Sequence, residues 1–163
     1  MPEGLAPSMD LRYVAFYMTT PQDDFYLKVA HALEGCQLVE QELKLYITEA
    51  LELAKECIGN KLPFKMSGEN YADSSLERLI DIFKKLSDDE DLVKELDDFR
   101  KERNMLSHRG ITNCLNPDGE VVFDDMPEFR DRLAAIAPEA QRLRYAIFQK
   151  SAVLGFDNLT DAG

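Results

Sequence analysis

Hydrophobic residues recur at spacings of three, four or seven along the proline-free stretch from 23 to 58. At about 100° per residue, this pattern predicts a helix of roughly nine or ten turns with one apolar stripe. A glycine and an asparagine at 59 and 60 follow as the expected stop. Three leucines lie on roughly the opposite side and imply a second packing partner, either another helix or another subunit. The stripe comprises Phe25, Val29, Ala32, Cys36, Val39, Leu43, Ala50 and Cys57, and the leucines are Leu27, Leu38 and Leu45.

Capping residues followed by apolar periodicity predict two shorter helices. Asp73 or Ser74 is the expected N-cap of a helix that extends to residue 86. Ser87 is expected to open a third helix, from 88 to about 108. Ser74 and Ser87 are each followed three residues later by a glutamate, which is the pattern of a capping box.

A tight-turn sequence separates two short runs in the C-terminal half. The turn is Asn-Pro-Asp-Gly at 116–119, with proline and glycine at positions that suit a tight turn. The flanking runs, 111–115 and 120–123, are predicted to pair as a small β-hairpin. The segment 11–18 is rich in β-branched and aromatic residues, so it is either a strand that joins this hairpin or a short helix.

A last helix is expected to start at Pro127, and Pro138 is expected to kink it or split it in two. Together these elements predict an all-α fold, an up-and-down helical bundle with a long first helix and a small β-hairpin near 111–123. The 163 residues fit a single domain. Its N-terminal segment, 1–21, has no firm assignment, and residues 157–163 are expected to form a loose tail.

The composition excludes several broad classes of protein. The chain has 31 acidic and 19 basic residues and a formal net charge of -12, which argues against unspecific binding to nucleic acid or anionic membranes. Its apolar stretches are far shorter than the ~20 residues of a membrane-spanning helix. The acidic, proline-containing N-terminus does not resemble a secretory signal, so we expect a cytoplasmic protein. The three cysteines form no Cys-x-x-Cys pair, so neither a disulfide framework nor a thiolate zinc site is indicated.

One arginine interrupts the apolar stripe of the third helix. With Leu92 as the reference on the helical wheel, Arg103 falls at roughly 20°, among leucine and phenylalanine positions. An unpaired guanidinium in a protein core is unfavourable by roughly several kcal/mol, because the buried charge loses its hydration. Arg103 is therefore expected to extend from the edge of the stripe, to pair with an acid of the first helix such as Glu40 or Glu42, or to face a cleft or an interface.

Arg103 lies within a local concentration of positive charge. Residues 100–109 read RKERNMLSHR and carry a net charge of +3, whereas the rest of the chain sums to -15. Arg103 and Ser107 are four residues apart and share a helical face, as do Asn104 and His108. One end of the helix thus offers a permanent cation, a carboxamide, a hydroxyl and an imidazole.

This set of side chains suits phosphodiester chemistry without a metal ion or other cofactor. Arginine binds phosphate through two hydrogen bonds and stabilises the added charge of the transition state. Histidine titrates near neutral pH and transfers protons to or from a ribose oxygen. Because cleavage through the 2′-hydroxyl benefits from a separate acid and base, we expect a two-fold homodimer that brings two imidazoles to one groove.

The sequence Arg103-Asn104-Met105-Leu106-Ser107-His108 resembles the signature of the HEPN superfamily, in which an arginine and a polar residue precede a histidine near the end of a helix. The resemblance implies an all-helical dimer and metal-independent endoribonuclease activity, as in toxin, phage-defence and RNA-processing proteins. It implies that Arg103 and His108 are the catalytic pair, with Asn104 as the polar residue after the arginine. Arg100, Ser107 and Arg109 would contact RNA at the dimer cleft.

Two other functions are compatible with the sequence. A noncatalytic helical dimer that binds a protein partner or a nucleotide would agree with the acidic surface and the second apolar side of the first helix. An antitoxin or inhibitor that covers a basic protein would agree with the net charge alone. His31 and Glu34 resemble half of a carboxylate metal site in reversed order, so we interpret His31 as a surface or interface residue and expect no metal site.

Overall fold

A computed structural model describes residues 20–110, 112, 114–122 and 126–160 of the chain. This part is mostly helical, and none of its residues belongs to a β-strand. Short 3-10 turns follow the first helix at Gly59–Lys61 and Gly68–Tyr71, and a π-helical turn covers Leu106–Gly110. The α-helices are α1 (Pro21–Ile58), α2 (Leu76–Leu86), α3 (Glu90–Met105) and α4 (Pro127–Thr160).

Helix α1 closely matches its prediction from the sequence. Thr20 and Asp23 form a reciprocal capping box: the Thr20 hydroxyl accepts from the Asp23 amide at 3.1 Å, and the Asp23 carboxylate accepts from the Thr20 amide at 2.9 Å. These bonds to Thr20 lower the pKa of Asp23. The predicted apolar stripe is buried except for Cys57, which is exposed in the last turn. On the other side, Leu27 and Leu45 are about half exposed.

The N-caps of α2 and α3 lie one or two residues later than the sequence indicated. The Ser75 hydroxyl accepts from the Arg78 amide, and the Asp89 carboxylate accepts from the Leu92 amide at 3.0 Å. Ser87 instead accepts from the amide of Asp89, before the helix begins. Neighbouring serines and aspartates are chemically equivalent caps, so the sequence pattern did not select among them.

Helices α1 and α4 run in the same direction. A Cβ added to Gly35 would lie 2.9 Å from the Cβ of Ala140, so the two helices approach closely at this level. Seven residues further along α1, the carboxylate of Glu42 lies 3.8 Å from Nε of Arg144. The contact positions advance together along both helices, which makes α1 and α4 parallel.

The direction of α3 is opposite to that of α4. Glu102 pairs with Arg132 at 3.0 Å, and Glu95, earlier in α3, pairs with Arg142 at 2.8 Å, later in α4. Positions in one helix therefore increase as those in the other decrease, and the pair is antiparallel.

Helix α2 runs in the same direction as α1, which corrects the predicted up-and-down order. α2 is antiparallel to α3, because a short connection at 87–89 joins them and Glu77 near the start of α2 pairs with Arg100 near the end of α3. The long connection between α1 and α2 makes this direction possible. A Cβ added to Gly68 would overlap the side chain of Thr48, so the connection has already returned along α1 by about three turns at Gly68.

The described residues of the predicted hairpin at 111–123 form no β-strands. They contain one isolated antiparallel bridge, between Leu115 and Val121, in place of two strands. The side-chain oxygen of Asn116 accepts from the amides of Asp118 and Glu120, and Gly119 has a φ of 80°. The predicted turn is present, but beyond it the described residues pair only through this bridge and the bond from the Val122 amide to the Cys114 carbonyl, because a ribbon this short gains little from its few hydrogen bonds.

Helix α4 continues past Pro138 as a single helix and ends at Thr160. It was predicted to be kinked or split there, and the observed helix is not split. Residues 157–160, which were expected to belong to a loose tail, are helical. The ambiguous segment 11–18 lies outside the described residues.

Candidate functional site

The residues of the Arg-x4-His sequence span a change of helix type. Arg103 and Asn104 lie in the last turn of α3, whereas Ser107 and His108 lie in the π-helical turn that follows. The prediction of a regular α-helix to about residue 108 is therefore wrong after Met105. Single π-helical turns are rare and frequently occur at functional sites, because the wider turn changes the direction of the side chains that follow it.

Arg103 is bound to helix α1 through an ion pair. Its Nη2 lies 3.5 Å from Oε1 of Glu40, and its Nη1 donates to Oδ1 of Asn104 at 3.4 Å. The side chain of Arg103 is 36% exposed, and that of Glu40 is 20% exposed. Among the alternatives left by the sequence, the structure therefore shows pairing with an acid of the first helix, in a position that solvent still reaches.

Cys36 lies close enough to this ion pair to respond to both of its charges. Burial raises the pKa of the Cys36 thiol to about 11, with Arg103 lowering it and Glu40 raising it. The thiol is therefore protonated at neutral pH and packs as a small apolar residue.

The side chains of Ser107 and His108 are exposed, whereas that of Asn104 is half buried. Leu106 is 1% exposed and anchors the start of the π-helical turn in the core. The hydroxyl of Ser107 and the imidazole of His108 are therefore exposed to solvent on a turn whose first residue is anchored in the core. The backbone of Arg109 belongs to the same turn, but its side chain lies outside the described part of the chain.

The positive charges of this segment are balanced by carboxylates of several elements. Arg100 lies 3.2 Å from Glu77 of α2 and 3.3 Å from Asp97, and Lys101 lies 2.7 Å from Asp98. Arg103 is paired with Glu40, as described above. Partly exposed ion pairs of this kind contribute little stability, so these cations are locally neutralised but can exchange a carboxylate for a phosphate.

A groove between α1 and α4 forms a second surface of interest, which was not predicted from the sequence. It is lined in part by Glu42, Gln141, Arg144, Tyr145 and Phe148. A signal was present in the sequence: residues 140–156 contain three basic residues and no acidic one, in a chain with a net charge of -12.

No group of metal-ligating side chains is found among the residues that the structure describes. His31 and Glu34 are both exposed, with Nδ1 and Oε2 3.7 Å apart, which agrees with a surface position for His31. No helix in the described part is long and apolar enough to cross a membrane. Comparison of the chain with models of protein families, with curated proteins and with solved structures gives no match.

Proposed function

We propose that this protein is a metal-independent endoribonuclease of the HEPN type that acts as a homodimer. The observation that carries the proposal is the anchored guanidinium of Arg103, which Glu40 holds next to the π-helical turn that exposes His108. A positioned cation and a solvent-accessible imidazole at one helix end are the minimum needed to cleave a phosphodiester through its neighbouring hydroxyl.

In the proposed reaction, the imidazole of His108 removes the proton of a ribose 2′-hydroxyl. The 2′-oxygen then attacks the adjacent phosphorus, and the bond from phosphorus to the 5′-oxygen breaks. The partner's His108 supplies the proton to the leaving 5′-oxygen, so the products are a 2′,3′-cyclic phosphate and a 5′-hydroxyl. Arg103 binds the phosphate and stabilises its added negative charge, Asn104 orients the reacting groups, and Ser107, Arg100 and Arg109 contact the RNA.

The helices are proposed to form a helical bundle of the kind that the HEPN resemblance implies, with α2 parallel to α1 as an individual feature of this chain. A cytoplasmic location and a role as a toxin, in phage defence or in RNA processing belong to the same proposal. They follow from the resemblance.

The test is an incubation of the purified protein with varied single-stranded RNAs in EDTA. We expect cleavage products that end in a 2′,3′-cyclic phosphate. His108→Ala is expected to reduce the cleavage rate about 10²- to 10⁴-fold, the usual contribution of a general acid or base. The proposal is wrong if the protein leaves all of these RNAs intact, or if the His108→Ala variant cuts at the parent rate.

A noncatalytic dimeric module is the second candidate function, and the neutralised charges favour it. Arg100, Lys101 and Arg103 each contact a carboxylate, which leaves less free positive charge than the sequence indicated. Such a module would bind a nucleotide or a protein partner, for example an antitoxin, through the same helices. Binding of RNA without any cleavage, at every RNA tested, would favour this candidate over the nuclease.

A further inference from the structure

The groove between α1 and α4 combines exposed aromatic rings with a guanidinium. Tyr145 is 63% exposed and Phe148 is 57% exposed, so more than half of each residue is accessible to solvent. Arg144 lies beside them with a side chain that is 34% exposed. Its Nε is buried and makes no hydrogen bond within the described part of the chain, since Oε2 of Glu42 is 3.8 Å away.

The surface of α1 next to this groove has no exposed carboxylate over nearly four turns. Between the exposed residues Glu34 and Glu49, the exposed positions of α1 are Gln37, Gln41 and Leu45. They are spaced by four residues and therefore lie along one stripe of the helix. On a chain with a net charge of -12, such a stripe is a route along which a polyanion meets little repulsion.

This stripe separates two matching ion pairs. Glu40 and Glu42 lie about 100° to either side of Gln41 on the helical wheel. Glu40 pairs with Arg103 at the candidate catalytic site, and Glu42 pairs with Arg144 in the groove. The two guanidinium groups therefore flank α1 at nearly the same level, separated by at least the width of one helix, ~10–12 Å.

We propose that the groove between α1 and α4 is a binding subsite for single-stranded RNA. An RNA strand held at Arg103 crosses α1 over Gln41 and enters the groove, where Arg144 binds a phosphate and the rings of Tyr145 and Phe148 stack on bases. The inference rests on the proposed function and names the class of its substrate: a single strand, whose bases are free to stack on side chains.

Charge favours RNA over a second copy of the chain as the occupant of this groove. Two copies each carry a net charge of -12 and repel one another, whereas the groove lining contains two arginines and one glutamate, a local net charge of +1, and complements a phosphate backbone. Arg142 at the edge of the groove is already held by Glu139 at 2.7 Å and Glu95 at 2.8 Å. Arg144 is therefore the residue that we assign to the phosphate.

The experiment measures binding separately from cleavage. The full-length His108→Ala chain is titrated into a fluorescently labelled single-stranded RNA of mixed sequence, about twelve nucleotides long, in EDTA. Tyr145→Ala and Phe148→Ala, each added to this background, are expected to weaken binding about 5- to 100-fold, the range for loss of one base–aromatic stack. Arg144→Gln is expected to weaken binding and to reduce its dependence on salt.

The control variants distinguish the loss of a stacking contact from the loss of the fold. Tyr26→Ala removes another exposed tyrosine, 41% exposed on α1, and is expected to leave the Kd unchanged. Phe148→Trp keeps an aromatic face and is expected to restore binding. Circular dichroism of each variant reports whether its helices are intact.

Four results would overturn the subsite: a Kd unchanged by both alanine variants, equal binding of an RNA duplex of the same length, no RNA binding at all, or a dimer that the alanine variants convert to a monomer. The last result would make the groove an interface between copies.

The two proposals fail separately. A chain that cuts RNA with a Kd unchanged by the ring variants remains a nuclease without this subsite, and one that binds through the rings but never cuts retains the subsite.

Discussion

The guanidinium of Arg103 and the carboxylate of Glu40 lie 3.5 Å apart and join the end of α3 to the middle of α1. Asn104 accepts a hydrogen bond from the same guanidinium. Arg103 is therefore held on two sides, while part of it remains open to solvent. This geometry gives Glu40 the role of a positioning residue in the proposed nuclease.

Glu40→Gln is expected to slow RNA cleavage about 10- to 100-fold, because a misplaced guanidinium no longer matches the transition state. The free energy of unfolding is expected to change by less than about 1 kcal/mol, because the ion pair is partly exposed. Single-turnover cleavage and urea denaturation measure the two quantities. Glu34→Gln removes an exposed carboxylate of the same helix and serves as the control. Equal cleavage rates for the Glu40 and Glu34 variants would remove the positioning role.

Gly35→Val is expected to lower the free energy of unfolding by about 1–3 kcal/mol, the usual range for an overpacked interior. The added side chain would collide with Ala140, because even a Cβ at this position lies 2.9 Å from the Ala140 Cβ. Ala30→Val places the same side chain on the exposed surface of α1, and its effect is expected to be near 0.5 kcal/mol. Urea denaturation compares the two variants. Similar midpoints would contradict the close approach of α1 and α4.

The ion pair between Asp89 and Lys150, 2.8 Å apart, is expected to give stability that depends on pH. Hydrogen bonds from Lys150 and then from the Leu92 amide lower the pKa of Asp89 below its usual 3.8. The folded pKa is below the unfolded one, so the stabilisation is complete above pH 3.8 and is lost as the pH falls through the lower, folded value.

Asp89→Asn tests this pH dependence because asparagine keeps the N-cap but carries no charge. At neutral pH the parent is expected to be more stable than the variant by about 0.5 kcal/mol, a value typical of a partly exposed pair. The difference should disappear at pH values below the lowered pKa. Thermal unfolding of both proteins from pH 2 to 7 measures it, and a constant difference over that range would show that the charge of Asp89 plays no part.

The three cysteines are expected to differ sharply in reactivity. Cys57 is exposed, whereas Cys36 and Cys114 are buried, and burial raises the pKa of both buried thiols. A thiol reagent added to the native protein at pH 8 should therefore modify one cysteine rapidly and the other two only on unfolding. Mass spectrometry of the peptides identifies the modified residue. Cys57→Ser should abolish the rapid phase, and a rapid phase that persists in this variant would contradict the burial of the other thiols.

The apolar periodicity of α1 was sufficient to predict its extent, because a helix of this length depends mainly on local hydrogen bonds and on one buried stripe. The N-caps of α2 and α3 were predicted only to within two residues, since Ser74, Ser75 and Asp89 are all suitable caps. The turn at 116–119 was predicted correctly, but a hairpin also requires two strands that pair over several residues on either side of the turn. Propensity alone did not decide that pairing.

The sequence by itself determined that the chain is largely helical, where its long helices lie and that Arg103 needs a partner. Tertiary structure decided which partner: Glu40 pairs with Arg103 and Glu42 with Arg144, although the two glutamates are only two residues apart. The physical reason is that helix formation is local, whereas an ion pair between helices depends on their direction and rotation. The direction and rotation of the helices follow from the connection at 59–75, which returns along α1, and from the close approach of α1 and α4 at Gly35.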